Sequence, residues 1–193
     1  MTDKAVSAPA ADVLDRSAEA ALALARDRPW GEIALRDIAR AAGVSFAELY
    51  ARAPGKAALL DRLSRRFDRE ALVAAEDDVA ADAEVHDRLF EAVMARLEAM
   101  ALHREALIAI ARAEGLLVLG PRMPATARAL LEAAGIDTGG PRGALRIAAM
   151  TAVWLRTLQV WRDDEGALNR TMAEIDKRLR QMRDRLGRVG AGF

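Results

Sequence analysis

The stretch AGVSFAELYARAPGK, residues 42–56, contains the residue types that a protein needs in order to contact nucleic acid. Gly43 supplies the left-handed backbone that ends a helix, and Ser45 is a helix-capping residue two positions later. Leu49 is placed to face back into a core. The spacing predicts a helix-turn-helix, whose second helix contacts base edges in DNA-binding proteins. The same spacing also fits a helical corner that binds no nucleic acid.

The charged residues of the predicted second helix need an explanation of their own. Glu48 lies in the middle of that helix, where its carboxylate would repel phosphates. A glutamate can also accept from the N4 amine of cytosine, and Arg52, four residues later, can neutralise Glu48. Residues 35–69 carry 8 basic and 4 acidic side chains, which is a mild basic bias in the region expected to meet DNA.

No arrangement typical of an enzyme or a metal site is found in the sequence. Cysteine is absent, which excludes a thiol nucleophile, a disulfide and a thiolate metal site. His86 and His103 are isolated on predicted helices and read as surface histidines. Asp163, Asp164 and Glu165 are typical of a solvated turn that caps a helix. We therefore predict a protein without enzymatic activity, cofactor or metal.

The spacing of apolar residues predicts an all-α fold of about nine helices and no strands. The predicted helices cover residues 10–27, 35–42, 46–52, 56–75, a fifth around 89–100, 107–119, 126–134, 142–161 and 168–186. The eighth is apolar around most of its circumference and is expected to be buried at the centre of its domain. An acidic link at 76–87 indicates a boundary between a helix-turn-helix domain, residues 1–75, and a helical regulatory and dimerisation domain, residues 76–193.

Two features of the sequence indicate a cytoplasmic protein. The first residues lack the basic start and apolar run of a secretory signal. The longest apolar run, Ile147–Leu155, is about half the ~18 residues that a membrane-spanning helix needs.

The run DIARAAGVSFAELYARAPGKAALL closely resembles the TetR/AcrR family of transcriptional regulators, over about Val13–Leu63. The resemblance implies a homodimeric repressor with an N-terminal domain that binds a double-stranded DNA operator and a C-terminal domain that responds to a small apolar ligand. It also implies contacts to phosphates and to the groove. The phosphate contacts fall on Ser45, Tyr50 and Lys56, and the groove contacts on Phe46, Ala47, Ala51 and Arg52. Three positions depart from the family pattern, namely Glu48, Ala53 and Gly55.

The C-terminal half offers a candidate pocket and a second resemblance. Methionine adapts to irregular ligands, so a set of methionines with one tryptophan could line an apolar cavity or simply fill the core. The set is Met94, Met100, Met123, Met150 and Trp154. Residues 142–179 resemble the lipid-binding accessory family of ubiquinone biosynthesis, through Trp161, Asp164, Thr171, Asp176 and Arg178. That family has a TetR-like fold, and the resemblance implies lipid binding and contact with a membrane surface.

The last predicted helix carries an apolar seam with heptad spacing. Its members are Leu168, Met172, Ile175, Leu179, Met182, Leu186 and Val189. With Leu158 of the eighth helix, residues 172–186 of this seam are expected to form a four-helix dimer interface. Seven basic residues surround the seam, so the alternative is a helix that lies on an anionic bilayer.

Overall fold

The computed structural model describes residues 12–77, 83–164 and 168–193, and within these ranges the chain is helical and contains no strand. The described residues form two short 3-10 helices, at Trp30–Glu32 and Gly120–Arg122, and nine α-helices. These are α1 Val13–Asp27, α2 Leu35–Ala41, α3 Phe46–Arg52, α4 Lys56–Asp77, α5 Val85–Ala101, α6 Arg104–Leu119, α7 Met123–Ala133, α8 Gly140–Asp163 and α9 Asn169–Arg188. The predicted all-α fold and its helix count are confirmed.

The helix boundaries differ from the predicted ones where glycine and proline were misread. Gly140 and Pro141, which precede the predicted eighth helix at 142–161, instead form its first residues, because proline is well tolerated in the first turn of a helix. α6 contains a break that the apolar spacing did not reveal. Its backbone leaves the helical region at Gly115, where φ is 66°.

Contacts divide the chain into two compact units, Met1–Leu63 and Ser64–Phe193. The predicted boundary after residue 75 assigns all but the last two residues of α4 to the first domain. In the structure the division falls inside α4, since Ser64 and Asp68 form hydrogen bonds with residues of the second unit. The first unit has its core at Leu22, Ile33, Ile38, Leu49 and Leu59, all of which are buried.

In the second unit α8 packs against α7 and α9 through one face only. Met150, Val153, Trp154, Thr157 and Trp161 lie on that face and are buried. The opposite face is accessible, so the expectation that this helix is buried at the centre of its domain was wrong.

The seam of α9 is covered by the chain itself. Ile175, Leu179, Met182 and Leu186 are each at most 4% exposed, because α9 packs against α8 and α5 of the same chain. A second subunit or a bilayer therefore has no access to these four side chains in this fold. This corrects their assignment to the dimer interface. It also removes the apolar face that the membrane alternative requires. Met172 and Leu158 are half-buried.

Asp164 fixes the start of α9. Its carboxylate Oδ2 accepts from the Thr171 backbone N–H at 2.8 Å and from the Thr171 hydroxyl at 2.7 Å. The Thr171 hydroxyl, followed by its backbone N–H, holds the pKa of the Asp164 carboxyl below its usual range. The expected capping role of this turn is confirmed at Asp164, which is buried and not solvated as expected. Glu165 lies outside the described residues.

Candidate functional site

The turn between α2 and α3 is fixed by a Schellman motif. Gly43 has a φ of 62°, a left-handed conformation that glycine adopts at no steric cost. The Gly43 N–H donates to the Arg40 carbonyl at 3.2 Å, and the Val44 N–H donates to the Ala39 carbonyl at 3.0 Å. These bonds satisfy two of the carbonyls that the end of α2 would leave free. The predicted helix-turn-helix geometry is confirmed.

α3 is held by its buried side rather than by a side-chain cap. Ser45 occupies the N-cap position in an extended conformation, but its hydroxyl makes no capping hydrogen bond, contrary to expectation. Leu49 is completely buried, as are Ile33 and Ile38, so its expected position in the core is confirmed. Ala53, which replaces an aromatic residue of the family pattern, is buried as well. One face of α3 is therefore fixed, and the other face is presented outward.

The outward face of α3 brings together the residues predicted to meet DNA. Tyr50 is 53% exposed, Ala47 and Ala51 are also exposed, and Phe46 is half-buried. The rings of Phe46 and Tyr50 pack with their centroids 5.9 Å apart. A residue that sequence reasoning did not single out completes this surface: the Arg36 guanidinium of α2 lies 4.6 Å from the centre of the Phe46 ring. This contact joins residues ten positions apart in different helices. The basic bias of residues 35–69 indicated basic side chains in this region but did not identify Arg36.

Glu48 and Arg52 form an ion pair on the same face. The Arg52 Nη1 donates to the Glu48 Oε1 at 2.7 Å, and each side chain is about half exposed. Exposed pairs with this i, i+4 spacing contribute about 0.3–0.5 kcal/mol to helix stability. Arg52 therefore neutralises Glu48 in the free protein, as predicted, and both side chains remain accessible to an incoming ligand.

Lys56 is engaged within its own domain. Its ammonium donates to the Trp30 carbonyl at 2.7 Å and lies 4.4 Å from the centre of the buried Trp30 ring. A lysine ammonium has three donors, so one such bond leaves N–H groups for other acceptors. In this conformation Lys56 connects the start of α4 to the 3-10 helix at Trp30–Glu32, and the expected phosphate contact stays a prediction.

The residues expected to line a pocket lie in the interior of the second unit. Met100, Met123, Met150 and Trp154 are buried, and Met94 is half-buried.

A charged group that the sequence did not reveal lies next to two of them. The guanidinium of Arg96, only 3% exposed, lies 4.6 Å from the centre of the Trp154 ring. Its Nη1 lies 2.8 Å from the Met100 sulfur.

Arg96 is neutralised by a carboxylate from α4. Its Nε donates to the Asp68 Oδ1 at 2.7 Å, and its Nη2 donates to the Ser64 and Thr126 hydroxyls at 3.3 Å each. Burial lowers the pKa of the Arg96 guanidinium, and the Asp68 carboxylate opposes that shift. The Asp68 carboxylate is therefore the counter-charge of the buried Arg96 guanidinium.

The histidines make polar contacts in the second unit. His86 Nε2 lies 3.0 Å from the Asp176 carboxylate, and His103 Nε2 lies 3.3 Å from the Arg66 guanidinium. Among the residues that the structure describes, no group of three His, Cys, Asp or Glu side chains is arranged to hold a metal ion. Within the same ranges, no helix is both long and apolar enough to cross a bilayer.

Residues 18–63 match the family described as bacterial regulatory proteins, tetR family. A TetR transcriptional regulator from Nitrosomonas europaea ATCC 19718 has a similar fold, with 25% identity and a TM-score of 0.69; the alignment covers 89% of this chain and 98% of that one. A TetR regulator from Rhodococcus sp. RHA1 gives 17% identity and a TM-score of 0.67, covering 88% and 94%. Thermus thermophilus FadR, a TetR-family repressor solved in complex with lauroyl-CoA, gives 19% and 0.52, covering 88% and 92%. No curated protein sequence matches the chain.

Proposed function

We propose that this chain, which belongs to the TetR family of bacterial regulatory proteins, represses transcription by binding a double-stranded operator through α3 and releases it when a small molecule occupies the second unit. The observation that carries the proposal is the outward face of α3. It presents Phe46, Tyr50 and Arg52 outward, with the Arg36 guanidinium over the Phe46 ring. Leu49 anchors the opposite side. Release requires that the ligand favours the conformation with low affinity for DNA, since only a difference in affinity shifts an equilibrium.

The residues of the α3 face have separate roles in this proposal. The Tyr50 hydroxyl and the Arg36 guanidinium contact phosphates, which gives affinity without sequence preference. Ala47 and Ala51 are small, so the helix axis approaches the base edges closely and offers apolar contact to thymine methyl groups. Arg52 reads guanine, the base most often contacted by arginine.

The outer face of α8 is the proposed contact between two subunits. Leu145 is 50% exposed, Ala148 and Ala152 are exposed, and Leu155 is half-buried. Their steps of three, four and three residues place them on one side of the helix, and the two alanines let a second helix approach closely. We propose an isologous dimer through this stripe, in place of the seam of α9 that the chain itself covers.

The ligand-responsive part of the proposal has a precedent in the fold. FadR from Thermus thermophilus was solved in complex with lauroyl-CoA. For this chain we propose a small, largely apolar ligand in the second unit, where Met100, Met150 and Trp154 are buried.

DNA binding is tested by fluorescence anisotropy on genomic fragments at several salt concentrations. The wild type should bind with an affinity that falls steeply as salt rises, because phosphate contacts release counterions. Arg36→Ala should weaken binding to all sequences and flatten the salt dependence. Arg183→Ala removes an exposed arginine of α9 and is the matched control, expected to bind as the wild type does. A wild type that shows no salt-sensitive binding to any fragment refutes the proposal.

The dimer is tested by sedimentation equilibrium. Leu145→Glu places a charge on the proposed stripe and should yield a monomer. Leu102→Glu is the matched control, because Leu102 is 81% exposed and lies outside α8, and this variant should remain dimeric. Two dimeric variants, or a monomeric wild type, would contradict the interface.

A further inference from the structure

Two buried polar groups of α8 have no hydrogen-bond partner within the ranges that the structure describes. They are the indole Nε1–H of Trp154 and the hydroxyl of Thr157. Both residues are fully buried and lie one helical turn apart on the same face. Most buried polar groups in proteins are paired, because an unpaired group has lost its hydrogen bonds to water. Each of these groups can therefore donate one hydrogen bond to an external acceptor.

The charges next to these groups are already balanced. The Arg96 guanidinium covers the face of the Trp154 ring, and its charge is matched by Asp68 at 2.7 Å. Its Nη2 also has the Ser64 and Thr126 hydroxyls as acceptors. Because Arg96 is already paired with Asp68, a ligand carboxylate beside it would find no free counter-charge on that arginine, and burying the carboxylate there would leave an uncompensated charge.

We infer that the ligand of the second unit is an uncharged amphiphile whose carbonyl oxygen accepts from Trp154 Nε1–H and from the Thr157 hydroxyl. Ketones, esters, amides and lactones belong to this class. The apolar part of the ligand lies against the buried methionine side chains of Met100 and Met150. This inference rests on the proposed ligand-responsive function and specifies its ligand. The proposed function requires only a largely apolar ligand, whereas the inference adds an uncharged hydrogen-bond acceptor.

The inference is tested by isothermal titration of the whole chain with three probes of equal length: 2-octanone, octanoate and octane. The ketone should bind about tenfold more tightly than octane, which is within the range that two uncharged hydrogen bonds contribute together. Octanoate should bind more weakly than the ketone. Trp154→Phe keeps an aromatic ring and removes the N–H, so it should reduce the preference for the ketone over octane to what the Thr157 hydroxyl alone supports. Trp161→Phe is the matched control and should keep it.

Thr157→Val, which is close in shape to the wild type, is the second variant and should also reduce the preference for the ketone over octane. It provides the test if circular dichroism shows that Trp154→Phe does not fold. The inference would be overturned if octanoate bound more tightly than the ketone. It would also be overturned if the wild type showed no preference for the ketone over octane, which includes no binding of either. A preference that both Trp154→Phe and Thr157→Val retain would overturn it as well. The titrations contain no DNA. Loss of the ketone preference with operator binding intact therefore refutes this inference alone, whereas a ketone preference without operator binding refutes the proposed repressor function.

Discussion

Replacing Asp68 with asparagine leaves the Arg96 guanidinium buried without its counter-charge. Arg96 is 3% exposed and its Nε lies 2.7 Å from the Asp68 carboxylate, so the guanidinium has no route to water without movement of α5. Removing one partner of such a pair destabilises a protein by about 3–5 kcal/mol. Typical domains have about 5–15 kcal/mol in total. We therefore expect Asp68→Asn to lose a large fraction of the stability of the second unit.

The double variant Arg96→Met with Asp68→Leu should be much closer to the wild type, within about 1–2 kcal/mol. It removes both charges together, and apolar replacement of a buried pair is often neutral. The hydroxyls of Ser64 and Thr126 lose their arginine partner, but they lie 3.4 Å apart and can pair with each other. The two sites are thus predicted to be strongly coupled, with single losses that do not add.

The assay is urea unfolding followed by the fluorescence of Trp154 and Trp161 in a Trp30→Phe background, so that the signal comes from the second unit. Asp184→Asn, an exposed carboxylate of α9, is the matched control and should change the free energy of unfolding by less than about 0.5 kcal/mol. The electrostatic argument would be refuted if Asp68→Asn lowered the free energy of unfolding by less than about 1 kcal/mol. It would also be refuted if the double variant lost as much stability as the single variants Arg96→Met and Asp68→Leu lose in sum.

Three further predictions concern glycine packing, acid stability and the seam of α9. Gly143→Ala would bring its Cβ into the backbone carbonyl group of Thr138, so urea titration should show a loss of about 1–3 kcal/mol, whereas Gly187→Ala meets open space and should show none. The pKa of Asp164 is lowered in the fold, so its contribution to the free energy of unfolding is present above about pH 4 and is lost as the pH falls through the lowered pKa. Asp164→Asn should therefore reduce the urea midpoint more at pH 7 than at pH 3. Ile175→Glu places a charge at a fully buried site and should lower the melting temperature sharply, and a variant that melts like the wild type but sediments as a monomer would restore the seam to a subunit interface.

Local features of the chain could be predicted well from the sequence. The left-handed conformation of Gly43 and the burial of Leu49 follow from residue type and spacing within about ten residues. The pairing of Glu48 with Arg52 follows from i, i+4 geometry on a helix. The outward face of α3 could therefore be assigned before any coordinates, apart from the contribution of Arg36 from a different helix.

Features that depend on contacts between distant segments could not be predicted. The heptad spacing of α9 shows that one face is apolar, but it does not show which helix covers that face, and α8 and α5 of the same chain do so. Arg96 reads as a surface residue because arginine is rarely buried without a partner. Its partner, Asp68, lies 28 residues earlier on another helix. Only the folded chain places the two side chains together, and with them the polar groups of α8.

The ion pair on α3 has a consequence for the time that a DNA-binding protein spends on the wrong DNA. Arg52 is bonded to Glu48 at 2.7 Å, so α3 adds no net charge from this pair to a passing phosphate backbone. Counterion release from that part of the surface is correspondingly small, and residence at random genomic sites is shortened. A base that offers Arg52 a better acceptor, and the vacated Glu48 a donor, restores both interactions at once. Such a protein would leave most of the chromosome quickly and stay only where that base pair occurs.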